Sequence, residues 1–170
     1  AKDSLLSWLT KKISEIPHIK RLRIHTRLPV VIPSRIDDEL LLWMQSTRLK
    51  PIMVLHINHP NEIDSAVEES LRRLRKIGIR LLNQSVLLKN VNDCSNVLIA
   101  LSEHLYSCEV TPYYLHLLDP VEGAAHFHVD KARIKAVYSE MQAVLPGFLL
   151  PRLVKETPGE LSKTIVCVND

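Results

Sequence analysis

Apolar segments with the composition of β-strands alternate along this chain with segments that have a helical spacing of apolar residues. Strands are predicted at four places: 19–25, 51–57, 79–88 and 110–118. Helices are predicted around and between them: 3–15, 35–48, 61–76, 93–106 and 130–144. Such alternation is typical of parallel βαβ units. The pattern therefore predicts an α/β fold with about four parallel strands and with helices on the outer face of the sheet.

Residues with known capping preferences mark the ends of several predicted helices. The capping residues are Ser34 with Asp37, Asn61 with Asp64, and Asp130. Gly78 occupies the position of a glycine that ends a helix. The segment 29–33, rich in valine and isoleucine, is predicted to be a turn. Two ion pairs are predicted on the third helix: Glu68 with Arg72 and Glu69 with Arg73.

Length and charge exclude several classes of protein. At 170 residues the chain is long enough for one domain with a real core. A net charge of +3 is too small to argue for binding to nucleic acid or to a membrane. Cys94, Cys108 and Cys167 are widely spaced, which predicts free thiols in a reducing cytosol. No signal peptide or membrane-spanning apolar run is recognised, so a cytoplasmic location is expected.

Polar residues cluster where the predicted strands end, and histidine is frequent among them. The histidines near strand ends are His25, His56, His59, His116 and His126. In barrel-like βα proteins the catalytic groups lie at the carboxyl ends of the strands. Together with Asp119, the histidines could hold a divalent metal ion for hydrolysis. The alternative is that they are hydrogen-bonding groups that face a polar cavity.

Two further features are candidates for ligand binding. Asn83, Gln84 and Ser85 are short neutral hydrogen-bonding residues at a strand end, and such residues position a ligand without adding charge. Lys163 follows a turn-forming Pro158–Gly159 pair. A lysine beside a pocket can form a Schiff base, although most lysines near a chain end are simply solvated.

Five longer motifs, taken in order, are more specific than any of these residues alone. They are IPHIKRLRIHTRLPVV at 16–31, HINHPNE at 56–62, LNQSVLLKNVND at 82–93, PYYLHLLD at 112–119 and GAAHF at 123–127. These motifs resemble the lysine 2,3-aminomutase family, and the match runs over nearly the whole chain. The sequences YLHLLD at 114–119 and ELSKT at 160–164 resemble most the bacterial branch that makes (R)-β-lysine for elongation factor P.

The resemblance implies a radical S-adenosylmethionine (SAM) isomerase that also uses pyridoxal phosphate (PLP). In that family a [4Fe–4S] cluster cleaves SAM, and the resulting radical takes hydrogen from a lysine bound to PLP. The amine then moves from Cα to Cβ. L-lysine is therefore the expected substrate, and the product is expected to serve the elongation factor P pathway. A homodimer is one expected assembly. The cofactors carry the hard chemistry, and the protein orients and shields them.

The resemblance also assigns expected roles to residues of this chain. Lys163 matches the lysine to which PLP is attached. Asp119 and Glu156 match two carboxylates that contact the distal ammonium of the substrate, although the lysine mutases of the family have aspartate at the second position. The remaining candidates are polar residues near SAM and PLP: His56 and Gln84, with Asn58, Asn83 and Ser85 beside them.

Two elements of the family pattern are absent from this sequence. The CxxxCxxC loop that binds the cluster has no counterpart among the 170 residues, nor does the Gly-Gly-Asp motif that helps to hold SAM. The resemblance therefore implies the C-terminal part of an incomplete (β/α)6 partial barrel, its strands three to six, with the PLP lysine on segment 145–170. Such a chain is expected to be inactive alone, and a non-catalytic remnant is the further alternative.

Overall fold

A computed structural model describes residues 2–168 of the chain. The helices are α1 (Asp3–Ser14), α2 (Leu28–Val31), α3 (Asp38–Gln45), α4 (Ser65–Lys76), α5 (Ser95–Ser107) and α6 (Lys131–Val144). The strands are β1 (Arg21–Thr26), β2 (Lys50–His56), β3 (Arg80–Val86), β4 (Thr111–His116), β5 (Arg152–Lys155) and β6 (Thr164–Ile165). Within residues 2–168, no helix has both the length and the apolar character that crossing a bilayer would need.

The strands form one sheet in the order β1-β2-β3-β4-β5-β6. The β1–β2 and β4–β5 pairs are parallel, whereas β6 runs antiparallel to β5. The predicted α/β class with a mostly parallel sheet is thus confirmed. The predicted number of about four strands is too low, because β5 and β6 were not foreseen. Strands of four and two residues are too short to show a hydrophobic period in the sequence.

The predicted helix caps are partly confirmed. The carboxylates of Asp64 and Asp130 accept hydrogen bonds from the backbone N–H groups of Val67 and Arg133, each at 2.9 Å. Gly78 has a φ of +81° just after α4, a left-handed conformation that glycine adopts without steric cost. The Ser34 prediction is wrong, since Asp37 caps α3 through the N–H of Leu40. Asp64 alone caps α4, so the Asn61 prediction is also wrong.

Two other local predictions are corrected by the structure. Segment 29–33 forms most of α2 rather than a turn, and a short 3₁₀ helix follows at Pro33–Arg35. On α4, Arg72 pairs with Glu69 three residues earlier. Arg73 instead binds the Asp38 carboxylate and the Ile36 carbonyl, because its guanidinium reaches the chain leading into α3.

The chain divides into two compact units. The first comprises the residues up to His56 together with Ile63–Leu82. Here Asp3 at the start of α1 is buried and accepts hydrogen bonds from Arg35 Nη2 and Trp43 Nε1, both at 2.8 Å. At the other end of α1, the Arg48 guanidinium donates to three backbone carbonyls: Ser14, Ile16 and Ile19. These bonds fix both ends of the helix within this unit.

The second unit comprises Ile57–Glu62 and the residues from Asn83 onward. Its core is formed where α5 and α6 pack with residues of β4 and β5. The buried core residues are Leu87, Leu98, Leu115, Val129, Ile134, Val137, Tyr138, Met141, Leu145, Leu149, Leu153 and Val168. The buried Tyr138 hydroxyl donates to the Pro151 carbonyl at 3.0 Å, so its polar end is satisfied within the core.

Candidate active site

Lys163 and Glu156 lie side by side in the second unit because of the register of two short strands. Lys155 at the end of β5 is opposite Thr164 at the start of β6. Glu156 directly follows β5 and Lys163 directly precedes β6, and the Lys163 ammonium donates a hydrogen bond to the Glu156 carboxylate. This hydrogen bond, together with the charge of Lys163, lowers the pKa of Glu156. The structure therefore brings together two of the candidates named by the sequence.

A tight turn makes this pairing possible. The N–H of Glu160 donates to the carbonyl of Thr157 at 3.1 Å, which closes a four-residue turn. Pro158 and Gly159 are its central residues, and Gly159 has a φ of +87°. A proline followed by a residue with positive φ is the pattern of a type II turn, which favours glycine at this position. The turn returns the chain toward β5, so that β6 pairs with it.

An aromatic residue of β4, Tyr114, lies beside the same ammonium. Lys163 Nζ lies 5.9 Å from the centroid of the Tyr114 ring, within the range of a cation–π interaction. The His116 ring meets Tyr114 edge-on, with 5.7 Å between centroids. His116 is buried, and its charge makes a smaller contribution to the lowered pKa of Glu156. Lysine, carboxylate, tyrosine and histidine thus form one site at the β4–β5–β6 end of this unit.

Asp119 lies in the loop after β4, three residues beyond His116. Its side chain is exposed, and its carbonyl accepts a hydrogen bond from the N–H of Val121 at 2.8 Å. The loop is thus locally ordered by its own backbone. The role of Asp119 in contacting a substrate stays a prediction.

Gln84 is separated from its two neighbours by the pleat of β3. Asn83 and Ser85 are buried, whereas Gln84 is half-buried on the opposite side of the strand. The Asn83 amide accepts from the Ile57 N–H at 2.9 Å and donates to the Ile57 carbonyl at 3.0 Å. Ser85 Oγ donates to the same carbonyl at 2.7 Å. Both side chains therefore hold the backbone at Ile57.

Asn58 continues this network through a residue that sequence reasoning missed. Its side-chain oxygen accepts from the Val86 N–H at 2.9 Å, and its carbonyl accepts from Asn92 Nδ2 at 2.8 Å. Asn92 is fully buried and also binds the Val86 carbonyl and the Leu88 N–H. One amide thus joins the loop at Asn58 to the loop after β3. Its place in the 82–93 motif is the one sequence signal that could have identified it.

Comparison with curated proteins shows which enzymes this chain resembles in sequence. The chain is 50% identical over 165 residues to the L-lysine 2,3-aminomutase of Haemophilus influenzae, which is 97% of this chain and 49% of that protein. The enzyme of the same name from Buchnera aphidicola is 46% identical, over 99% of this chain and 50% of its own length. That from Escherichia coli is 48% identical, over 96% of this chain and 48% of its own length. The chain is a relative of the L-lysine 2,3-aminomutases.

This relationship confirms the resemblance inferred from the motifs. The chain spans about half the length of the curated relatives it matches. No protein-family model matches it.

The strand-end histidines do not gather as a metal site would require. Among residues 2–168, neither they nor Asp119 belong to any set of three ligand atoms within 4.8 Å of one another. A hydrolytic metal site needs at least three protein ligands in most known cases. The geometry of the described residues therefore gives no support to the hydrolase alternative.

Two of the histidines are nevertheless neighbours in the first unit. His25 of β1 and His56 at the end of β2 meet edge-on, with 6.2 Å between ring centroids. Burial lowers the pKa of His56, and the positive charge of Arg27 lowers it further. His56 is therefore held as a neutral hydrogen-bonding group at neutral pH.

We expect the lowered pKa of His56 to be visible by NMR. Its folded-state pKa lies below that of the unfolded chain, so its contribution to stability is present above the unfolded pKa of about 6.5 and is lost as the pH falls. Arg27→Gln should raise the midpoint of the His56 titration, whereas Arg21→Gln, an equal change of charge at the start of β1, should not. A titration midpoint of His56 unchanged by Arg27→Gln would contradict the contribution assigned to the charge of Arg27.

Proposed function

We propose that this chain is part of an L-lysine 2,3-aminomutase, an isomerase that converts L-lysine to (R)-β-lysine. The proposal rests on the 46–50% identity to enzymes of that name and on the contact of Lys163 with Glu156 beside Tyr114. We further propose a cytoplasmic enzyme that modifies elongation factor P and acts as a homodimer. These finer assignments rest on the motif resemblance alone.

The residues around Lys163 are suited to PLP. Lys163 is only 29% exposed, follows a tight turn and lies 5.9 Å from the centroid of the Tyr114 ring, a setting that suits a covalently bound aromatic cofactor. When bound, PLP and SAM supply the chemistry of hydrogen removal and amine migration. Lys163 would provide the attachment point, while Tyr114 and His116 shield that side of the site from water. In this proposal Lys163 is the catalytic residue of the chain.

The two carboxylates would orient the substrate. L-lysine differs from most amino acids in its distal ammonium, and a carboxylate forms charge-assisted hydrogen bonds with such a group. Glu156 already binds one alkylammonium in this structure, that of Lys163. Asp119, in the loop after β4, would provide the second carboxylate. Together they would fix the distal end of the substrate and so the position of Cα and Cβ.

The polar residues at the ends of β2 and β3 would act in two ways. His56 and Gln84 are half-buried and would contact SAM or PLP directly. Hydrogen bonds to backbone groups already engage the side chains of Asn58, Asn83 and Ser85. We therefore propose that these three residues position the loop that follows His56 in addition to any contact with a cofactor. The neutral side chains of His56 and Gln84 suit contact with a cofactor because they orient a ligand without repelling its charges.

The residues present do not fit a [4Fe–4S] cluster. Cys94 and Cys108 flank the two ends of α5, a helix of 13 residues, which separates them by about 20 Å at 1.5 Å per residue. Cys167 is exposed beyond β6. Cluster ligation needs several cysteine sulfurs at one place. In our proposal the cluster ligands lie outside these 170 residues, and the chain alone does not generate the radical.

The proposed function can be tested by fusing the upstream half of the Haemophilus influenzae relative to the N-terminus of this chain. After reconstitution with iron, sulfide, PLP and SAM, we expect the fusion to convert L-lysine to β-lysine, measured by mass spectrometry after chromatography. The upstream half alone, treated in the same way, is the control. A fusion that holds iron and PLP but forms no β-lysine would contradict the proposal and favour a non-catalytic remnant.

A further inference from the structure

A primary ammonium on a four-carbon chain already occupies the Glu156 carboxylate in this structure. It belongs to Lys163, whose Nζ donates to Glu156 and lies 5.9 Å from the centroid of the Tyr114 ring. We call Glu156 and Tyr114 the ammonium seat. A carboxylate combined with an aromatic face is a combination that selects alkylammonium groups, through charge-assisted hydrogen bonding and the ring quadrupole.

The surroundings of the seat support this selectivity. Tyr113 donates its hydroxyl proton to the Tyr114 hydroxyl, with 3.0 Å between the oxygens, which orients the ring system. His116 lies edge-on to Tyr114 and close enough to influence the charge of Glu156. Among residues 2–168, the charged groups that act on the Glu156 carboxylate are Lys163 and His116, and the titratable Tyr113 hydroxyl contacts Tyr114. Of these, Lys163 is the group that fills it.

The distal end of free lysine carries the same chemical group as Lys163. We propose that Lys163 occupies the substrate's ammonium seat while no PLP is attached, and that attachment of PLP to Lys163 opens the seat to L-lysine. This inference rests on the proposed function. It makes Tyr114 a determinant of substrate specificity and places cofactor attachment before tight substrate binding.

Attachment of PLP to Lys163 explains how Glu156 and Tyr114 become free to bind a substrate ammonium. Lys163 first gives one proton to solvent, and its nitrogen then forms a double bond to the aldehyde carbon of PLP. The aldehyde oxygen leaves with the two remaining nitrogen-bound protons as water. Lys163 has then lost its free ammonium group, and Glu156 is left with a carboxylate that has no cation. L-lysine provides the replacement cation.

The inference predicts competition that can be measured without catalysis. An ion pair of this exposure contributes up to about 1 kcal/mol, which corresponds to a change in affinity of about fivefold. Lys163→Met removes the ammonium but keeps a long flexible side chain. In the cofactor-free chain, this variant should therefore bind L-lysine about fivefold more tightly than the unmodified protein, as followed by NMR titration.

Three controls make the titration specific. L-norleucine has the same carbon chain as lysine without the distal ammonium, so its affinity should not change. Lys155→Met makes the same change of charge at an exposed neighbour and should leave lysine binding unaltered. Adding Glu156→Gln or Tyr114→Leu to Lys163→Met should abolish the gain, whereas Tyr114→Phe should retain it. Equal affinities for lysine in Lys163→Met and the unmodified chain, or an equal gain for norleucine, would overturn the inference.

Failure of the inference is distinguishable from failure of the proposed function. Reduction of the chain with borohydride in the presence of PLP tests attachment to Lys163 independently of lysine binding. If Lys163 is modified but Lys163→Met gains no affinity for lysine, the competition is refuted and the proposed function stands. If Lys163 is not modified, the proposed function loses its attachment site, and the competition falls with it.

Discussion

Replacing Lys163 by alanine is expected to reduce β-lysine formation by the fused enzyme by about a thousandfold or more, the scale of loss when a covalent catalytic residue is removed. The amine of Lys163 is the attachment point in our proposal, and within this site no other side chain can replace it. The loss should appear in kcat, since alanine also empties the ammonium seat and does not weaken lysine binding.

Lys155→Ala is the matched control for this prediction. Lys155 precedes Glu156 and is exposed, so its removal changes the net charge equally without touching the site. We expect Lys155→Ala to retain nearly full activity. Similar losses in the two variants, measured as initial rates of β-lysine formation, would show that Lys163 acts only through general charge or stability.

Replacing the buried Asn92 by leucine is expected to lower the free energy of unfolding by about 3 kcal/mol. The Asn92 amide binds the carbonyls of Asn58 and Val86 and the N–H of Leu88. Leucine has the same number and branching of side-chain heavy atoms but cannot form hydrogen bonds, so three backbone groups would lose their partner. Each unsatisfied buried group costs about 1–3 kcal/mol, although water can recover part of that cost.

Urea unfolding followed by circular dichroism measures this effect. Asn96→Leu is the matched control, because Asn96 is an exposed asparagine on α5 in the same unit. Exposed substitutions usually change stability by less than about 0.5 kcal/mol. If Asn92→Leu and Asn96→Leu were equally stable, the hydrogen bonds of Asn92 would not be what joins the two loops.

The sequence predicted those parts of the fold that depend on local chemistry. Asp130 and Gly78 act where their capping preferences placed them, and Asp64 caps α4 by itself rather than as the partner of Asn61, because a cap is formed by residues two or three positions apart. Arg73 was misassigned, because its partners Ile36 and Asp38 are distant in sequence and only tertiary packing brings them near. The short strands β5 and β6 exist through pairing and have no local pattern of their own.

In the candidate site, too, features set by local sequence could be predicted, whereas contacts set by tertiary packing could not. Lys163 and Glu156 were recognised by motif, but their contact depends on the register of β5 and β6, which the sequence did not indicate. The separation of Gln84 from Asn83 and Ser85 follows from strand alternation and could have been predicted. Asn92 was missed because its place in the 82–93 motif is its one sequence signal, and that signal does not say whether an amide binds two loops or lies on the surface.

The central claim is that Lys163 is the attachment site for PLP. The most direct measurement is to incubate the chain with PLP, reduce it with borohydride, and locate the added mass by peptide mass spectrometry. We expect a single predominant adduct on Lys163 that is lost in Lys163→Ala and retained in Lys155→Ala. An adduct spread evenly over exposed lysines, or the same adduct pattern in Lys163→Ala, would contradict it.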